Sequence, residues 1–226
     1  MSAVSIRDLK FRYHDDGPLI LDISSFDVQT GEKVFLLGPS GSGKSTFLEV
    51  VSGVLPAKAG KLEVCGHDLT KKSAHERDVL RGSHIGYIFQ SFNLVPYLSV
   101  QENIELPLLL NQERARRLKK DRVTEMKRLA DHLEIGPYLT RPVSQLSVGQ
   151  QQRVAACRAL LGSPELILAD EPTSALDQEV REKFIRLLFE CCDETKAAVL
   201  FVSHDRTLIP LFDREFALPK RGGEGW

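Results

Sequence analysis

Apolar and amphipathic segments alternate through most of this chain. Residues 34–37, 166–169 and 198–202 are continuously apolar, which predicts strands buried on both faces. Residues 178–192 have the apolar spacing of a helix, and residues 85–89 predict another short strand. This alternation predicts an α/β fold with a mostly parallel sheet core flanked by helices.

The beginning of the chain has a different pattern. Residues 4–6, 9–13 and 20–28 favour short strands, and the sequence Asp-Asp-Gly-Pro at residues 15–18 favours a turn between two of them. Short strands joined by turns pair antiparallel more readily than parallel. We therefore expect an N-terminal antiparallel β subdomain.

A helical insertion is predicted between residues 91 and 150. Pro96 and Pro107 interrupt the segment, and residues 112–133 carry a long helical pattern. We expect a single domain over residues 1–226. In it, residues 1–90 and 151–226 form the core with the β subdomain, and residues 91–150 form the helical subdomain. The polar tail at residues 220–226 is expected to be frayed.

Composition narrows the class of protein. With 226 residues, 42% of them hydrophobic, the chain can bury a sizeable core, which excludes disorder as its main state. The net charge of -1 gives no overall reason to expect nucleic-acid binding. No apolar run reaches the roughly 18 residues that a membrane span needs, and the first residues lack a signal-peptide core, so we expect a soluble chain.

The cysteines carry no predicted function. They lack the spacing of a zinc site and the density of a secreted disulfide scaffold, which favours a reducing cytosol. Cys191 and Cys192 are adjacent on a predicted helix and are interpreted as buried packing residues. The four are Cys65, Cys157, Cys191 and Cys192.

A run of basic residues is predicted to form a solvated helix face. Glu113, Asp121 and Glu125 are interleaved with it, which favours ion pairs along the helix over contacts with nucleic acid or lipid headgroups. The basic residues are Arg114, Arg116, Arg117, Lys119, Lys120 and Arg122.

A phosphate-binding loop is predicted directly after the strand at residues 34–37. A helix is expected over residues 45–53, so the loop lies between a strand and a helix, as the motif requires. The alternative is a chance glycine-rich turn, which would not need these two elements beside it. Its backbone N–H groups would surround phosphates, Lys44 would approach the β and γ phosphates, and Ser45 would offer its hydroxyl to Mg²⁺. The loop consists of Gly38, Pro39, Ser40, Gly41, Ser42, Gly43, Lys44, Ser45 and Thr46.

Two carboxylates follow the strand at residues 166–169. Asp170 at the end of the strand can reach Mg²⁺ or a metal-bound water, and Glu171 can act as general base for an attacking water. The alternative is an ordinary helix cap before Pro172. The phosphate-binding loop favours the catalytic interpretation.

A helix start suited to an anion is predicted at Ser147. Ser147 is a good N-cap, and Gln150 three residues later completes a reciprocal cap for the helical pattern at residues 151–161. The free backbone N–H groups and the absence of a side chain at Gly149 suit a terminal phosphate. Which phosphate it holds is left open by these residues alone.

Together with Gln90, residues 174–177 and His204, these motifs resemble those of ABC-type ATPases in order and spacing, over nearly the whole chain. The resemblance implies ATP hydrolysis with ATP and Mg²⁺ as cofactors. It implies that Glu171, His204 and Lys44 are catalytic. The implied Mg²⁺ ligands are Ser45, Gln90 and Asp170.

The resemblance also implies roles for single residues whose function could not be inferred from their residue type alone. Tyr13 would stack on adenine, the alternative being a core aromatic. His204 would hydrogen-bond the γ-phosphate and the attacking water, the alternative being a histidine satisfied at a strand end. Gln90 would couple the nucleotide to a transmembrane partner, and Asp177 would lie in a loop that contacts another subunit.

The family architecture implies two ATPase subunits packed head to tail around two ATPs. Ser147, Gly149 and Gln150 of one subunit would close on the γ-phosphate in the other, and a homodimer is the simplest closed arrangement. Val148 stands where a glycine is usual, and a valine at the first helical position is sterically acceptable. The implied partners are a second ATPase subunit and transmembrane permease subunits, with membrane contact only through the permease and no nucleic acid.

Residues 86–94 and the segments that follow them resemble the branch of bacterial lipoprotein-release, macrolide-efflux and cell-division ATPases. This implies an ATPase peripheral to the cytoplasmic side of the bacterial inner membrane. An importer ATPase of the amino-acid or methionine type shares the same hydrolytic motifs, but such chains often extend further beyond the position of Leu218. A soluble ABC protein acting on nucleic acid or ribosomes is disfavoured by the balanced charge and by the absence of a coiled-coil insertion.

Overall fold

Two sheets organise the part of the chain that the computed structural model describes, which is residues 2–118, 120–174 and 176–218. An antiparallel sheet with strand order β2-β1-β4-β5 is formed by β1 (Ser2–Phe11), β2 (Leu21–Gln29), β4 (Lys61–Val64) and β5 (His67–Asp68). A parallel sheet with strand order β6-β7-β8-β3-β9 is formed by β3 (Lys33–Leu37), β6 (Ile85–Ile88), β7 (Leu166–Asp170), β8 (Ala198–Val202) and β9 (Arg214–Ala217). The predicted α/β fold with an N-terminal antiparallel sheet is confirmed.

Seven α-helices accompany these sheets within the described residues. They are α1 (Lys44–Val51), α2 (Ala74–His84), α3 (Val100–Leu110), α4 (Gln112–Arg116), α5 (Arg122–His132), α6 (Val148–Leu160) and α7 (Gln178–Thr195). The segment 112–133, predicted to be helical, contains two helices, α4 and α5. In the described ranges, no helix combines the length and the apolar character needed to cross a bilayer.

Reciprocal caps fix where three of the helices begin. Ser73 and Glu76 close a capping box at the start of α2, and Ser99 and Glu102 close one at the start of α3. In each box the serine hydroxyl accepts a hydrogen bond from a backbone N–H that has no partner within the helix, and the glutamate carboxylate three residues later accepts one from the serine N–H. The third box, at α6, belongs to the candidate site.

The parallel sheet separates two apolar cores. Along β3, the side chain of Phe35 packs in the core with α3, α5, α6 and α7, whereas Val34 and Leu36 pack in the core with α1 and the antiparallel sheet. Successive side chains of a strand point to opposite faces, so a strand covered on both sides must be apolar at every position. This explains why residues 34–37 form a continuous apolar run.

The basic run is only partly the solvated face that the sequence predicts. Arg114 is 3% exposed, and its guanidinium donates to the backbone carbonyls of Leu161, Ile85 and Ala159. Burial lowers the pKa of Arg114 to about 10. The interpretation of Arg114 as a surface residue is therefore wrong, because this side chain joins α4 to the end of α6 and to β6. Arg116, Lys120 and Arg122 are exposed, Arg117 is half-buried, and Lys119 lies outside the described residues.

The cysteines behave as packing residues. Cys157, Cys191 and Cys192 are buried, Cys65 is partly exposed, and all four are free thiols. Burial raises the pKa of Cys191 and of Cys65 to about 12, which keeps both thiols protonated near neutral pH. The predicted packing role of Cys191 and Cys192 is confirmed.

Candidate functional site

The carboxyl ends of four parallel strands bring the predicted site residues to one edge of the sheet. The phosphate-binding loop follows β3, Gln90 follows β6, Glu171 follows β7 and His204 follows β8. Parallel strands place their carboxyl ends at the same edge, where ligands of open α/β sheets bind. Residues far apart in the sequence therefore converge.

The phosphate-binding loop depends on glycine at two positions. Gly43, immediately before α1, has φ 96°, and a Cβ there would lie 3.0 Å from Leu21 Cδ2. At Gly38 a Cβ would lie 2.4 Å from Ser42 Oγ. Any larger residue would meet both a backbone and a packing penalty at Gly43. The loop is thus shaped by the close packing beneath it.

Lys44 is buried at the start of α1 and is bonded to its own loop. Its Nζ donates to the carbonyls of Gly38, at 2.7 Å, and Pro39, at 3.1 Å. Burial lowers the pKa of Lys44, while the nearby carboxylates of Glu171 and Asp170 oppose that effect. The ammonium group therefore has neutral partners that phosphate oxygens, which carry charge, can replace.

Tyr13 lies beside this loop with about half of its surface open to solvent. Its hydroxyl is 2.8 Å from Thr46 Oγ1, and its ring packs edge-on against Phe11 at a centroid distance of 5.0 Å. The side chain is 54% exposed, so the alternative of a core aromatic does not fit. A free aromatic face next to a phosphate-binding loop is suited to a purine base.

Oxygen donors cluster where Asp170 ends β7. Burial raises the pKa of the Asp170 carboxyl, while the neighbouring Ser45 side chain and the charge of Lys44 act in the opposite direction. Gln90 lies in the same cleft as Ser45. A carboxylate, a hydroxyl and an amide oxygen form a hard donor set of the kind that Mg²⁺ prefers. Within the described residues no group of three His, Cys, Asp or Glu side chains could hold a metal, so phosphates or water would have to complete this shell.

Glu171 and His204 are in direct contact. His204 Nε2 is bonded to the Glu171 carboxylate, and the Glu171 backbone N–H donates to the carbonyl of Val202 at 3.0 Å. Glu171 has φ 44°, a left-handed conformation that costs a non-glycine residue free energy. The backbone bond to β8 holds this carboxylate beside the histidine. The sequence identified both residues but not their contact.

A cleft of about 410 Å³ contains most of the predicted residues. Its lining includes the aromatic ring, the loop, the carboxylate and the histidine described above. The lining residues are Tyr13, Ser40, Gly41, Gly43, Lys44, Ser45, Thr46, Gln90, Glu171 and His204. Gly38 and Pro39 line a neighbouring cavity that shares His204, and Ser42 is buried beneath the loop.

The helix start at Ser147 does not lie in this cleft. The Ser147 hydroxyl accepts from the Gln150 N–H at 3.3 Å, and Gln150 Oε1 accepts from the Ser147 N–H at 2.9 Å, so the predicted cap is present. Val148 is 48% exposed at the first position of α6. Ser147, Gly149 and Gln150 are absent from the cleft lining. The structure thus divides the predicted nucleotide-binding residues between two places.

Arg181 was not singled out from the sequence. It donates to the carbonyl of Leu176 and to the carboxylate of Asp205, next to His204. A charged residue one turn into a helix is common and gives no local signal, and its partner lies 24 positions away. Of the segment 174–177, Ala175 lies outside the described residues.

Comparison with known proteins decides the family. The model of the ABC transporter family matches residues 21–174. The chain is 39% identical over 187 residues to the uncharacterized ABC transporter ATP-binding protein YbbA of Escherichia coli K12, covering 83% of this chain and 80% of that protein. The chain belongs to the ABC transporter family. It is also 35% identical to the lipoprotein-releasing system ATP-binding protein LolD of Novosphingobium aromaticivorans, covering 94% of each chain.

Solved structures place this ABC protein among ATPase cassettes. The dimeric structure of the bacterial ABC transporter cassette MJ0796 superimposes with a TM-score of 0.81 at 30% identity, covering 95% of this chain and 94% of that one. A post-hydrolysis dimer of MJ0796 bound to ADP and Pi gives a TM-score of 0.79 at 33% identity, covering 97% and 95%. The chain is therefore an ATP-binding subunit of the ABC transporter type, and its activity is ATP hydrolysis.

Proposed function

We propose that two copies of this chain pack head to tail around two ATPs, so that each site combines the cleft of one copy with the helix start at Ser147 of the other. The observation that carries this proposal is the separation of the Ser147 helix start from the cleft within one chain. The dimeric form of the MJ0796 cassette supports it. A two-fold arrangement completes two incomplete half-sites with their counterparts on a second copy.

Within each site, the residues of the cleft would divide the work. Tyr13 holds the base, and the phosphate-binding loop with Lys44 holds the β and γ phosphates. Glu171 orients the attacking water and takes its proton, and His204 hydrogen-bonds the γ-phosphate after leaving Glu171. Ser45, Gln90 and Asp170 would hold Mg²⁺, which, when bound, neutralises developing phosphate charge. Ser147, Gly149 and Gln150 close on the γ-phosphate from the other copy.

The proposed assembly includes transmembrane permease subunits that the dimer drives by closing and opening. LolD belongs to a lipoprotein-releasing system, and its similarity over 94% of both chains supports an export or mechanotransmission complex. The subunit would then lie peripherally on the cytoplasmic side of the bacterial inner membrane. The division into a core over residues 1–90 and 151–226 and a helical subdomain over residues 91–150 is part of this proposal, with α6 as the continuous element that crosses it.

The deciding experiment replaces Glu171 by Gln. This substitution keeps the size of the side chain but removes the proton acceptor, so we expect ATP to bind, a dimer to persist and turnover to fall by about a hundredfold. Sedimentation with and without Mg²⁺ and ATP measures the dimer, and phosphate release measures turnover. Glu194→Gln is the control, because Glu194 pairs with Arg128 on α5 instead of facing the cleft. Hydrolysis at the wild-type rate in Glu171→Gln would remove the assigned base.

A further inference from the structure

Arg181, in the first turn of α7, joins two loops of the proposed site. Its Nη2 donates to the carbonyl of Leu176 at 2.7 Å, just before the α7 cap Asp177, and its Nη1 is bonded to the carboxylate of Asp205. Asp205 directly follows His204. One side chain therefore connects the loop that leads into α7 with the loop that carries the histidine.

The Asp205 end of this link is firmly held. Asp205 Oδ1 also accepts from the Thr207 N–H at 3.0 Å and from its hydroxyl at 2.6 Å, which caps the short 3-10 helix Arg206–Leu211. The bonds from Thr207, and then the charge of Arg181, hold the pKa of Asp205 below its usual value. The side chains of Arg181 and Asp205 are 18% and 23% exposed. Removing one member of a charged pair this well covered costs more than on the open surface, because the remaining charge is left without a partner and partly away from water.

The Leu176 end lies beside the helix start at Ser147. A Cβ placed at Gly149 would lie 3.5 Å from Leu176 Cδ2, so the leucine side chain is a close neighbour of the first turn of α6. A series of neighbouring groups thus runs through one chain, from Gly149 to Leu176, then through the bonds of Arg181 to the Asp205 carboxylate beside His204, which is bonded to Glu171. One end lies at the helix start and the other in the cleft.

We propose that Arg181 is a positioning residue that couples the helix start of each copy to His204 in the cleft of the same copy. When the nucleotide of the partner engages the Ser147 helix start, Leu176 and Arg181 transmit the resulting displacement to the histidine loop. This favours the release of His204 from Glu171. The proposal rests on the head-to-tail dimer proposed above, and it makes the two ATP sites depend on each other.

The test compares Arg181→Gln, Arg181→Lys and Asp205→Asn in the full chain. Arg181→Gln removes the charge, Arg181→Lys keeps an ammonium group for Asp205, and Asp205→Asn keeps a capping side chain while removing the opposite charge. Turnover should fall about tenfold in Arg181→Gln and Asp205→Asn, with ATP affinity of the separate subunit within about twofold of wild type. The double variant should lose no more than the single ones, and Arg181→Lys should recover at least half of the wild-type rate.

Cooperativity gives a readout that a structural role would not change. The Hill coefficient of wild-type hydrolysis against ATP concentration should exceed that of Arg181→Gln, which should approach one. Arg186→Ala is the control, because Arg186 is an exposed arginine on the same helix. Melting temperature and ATP affinity show whether each variant is folded.

Three results would overturn this proposal. They are unchanged turnover and Hill coefficient in Arg181→Gln, losses that multiply in the double variant, and a parallel loss of ATP affinity and melting temperature in both single variants. If wild type hydrolyses ATP and Glu171→Gln traps a dimer, any of these three results rejects the role of Arg181 and leaves the proposed function intact. If wild type fails to hydrolyse ATP or Glu171→Gln traps no dimer, the proposed function fails as well.

Discussion

The cleft and the helix start at Ser147 are the two halves of the proposed ATP site, and they are prepared for a ligand in different ways. In the cleft the charged groups are bonded within the chain, with Lys44 on the carbonyls of its loop and His204 on Glu171. The helix start completes its own cap and leaves its outer face, including Val148, to solvent. The cleft must exchange contacts to bind, whereas the helix start keeps its own cap and loses water when it closes.

This difference predicts how the cleft and the helix start each contribute to the free energy of ATP binding. In the cleft, phosphate oxygens must replace existing partners of Lys44, so part of the binding free energy is spent on rearrangement. The Ser147 helix start is preorganised, because its capping box already holds the backbone N–H groups in place. We therefore expect the cleft to determine the affinity of one subunit for ATP and the helix start to determine closure and turnover.

Lys44→Ala should have the largest effect and should act on affinity. Losing a buried ammonium group that faces phosphates should weaken ATP binding by the separate subunit by about a hundredfold. Titration with a fluorescent ATP analogue measures this. Lys58→Ala is the control, because Lys58 is an exposed lysine whose only described ion pair is with Asp15 at the surface. Equal affinity of Lys44→Ala and wild type would contradict the placement of phosphates at this lysine.

Ser147→Ala should act on turnover instead. It removes the cap and the hydroxyl offered to the phosphate of the partner, so we expect turnover to fall about tenfold with ATP affinity of the separate subunit unchanged. The matched control is Ser99→Ala, which removes the same capping box from α3. A similar loss of turnover in both variants would show that the effect of Ser147→Ala is only that of a lost cap.

Asp170→Asn should separate stability from activity. Because burial raises the pKa of Asp170, its charged form is less favourable in the folded protein than in the unfolded chain. The neutral variant without nucleotide should therefore melt a few degrees higher near neutral pH while losing hydrolysis. The gain should disappear as the pH falls through the raised pKa, since the wild-type carboxyl then becomes neutral too. Thermal melting across the acid range tests this, with the exposed Asp16→Asn as control; a lower melting temperature at neutral pH would oppose it.

Val148→Gly should have the smallest effect. A valine at the exposed first position of α6 leaves the backbone N–H free, so ATP affinity of the separate subunit should be unchanged and turnover should stay within about threefold of wild type. Measuring both on one preparation gives the answer. A large loss of affinity would mean that the Ser147 helix start belongs to the site of its own subunit.

Local patterns predicted the elements that hold the site. The apolar run that became β8 and the helix start at Ser147 were identified correctly because strand burial and capping depend on neighbouring residues. Arg114 was placed wrongly because its partners, such as Leu161 and Ile85, are brought to it only by the fold. The contact of Glu171 with His204 and the link through Arg181 depend on long-range geometry in the same way.

The length of α6 converts a small tilt at its packed end into a larger displacement at Ser147. Its 13 residues span about 20 Å. Arg114 donates to backbone carbonyls at the C-terminal end of α6. The same end packs closely on β6, because a Cβ at Gly86 would lie only 2.3 Å from the carbonyl oxygen of Ala159. A tilt of about 3° at that end would displace Ser147 by about 1 Å, enough to break a hydrogen bond. Small rotations imposed at the packed end of α6 are thus sufficient to make or break the proposed contact between Ser147 and the nucleotide of a second copy.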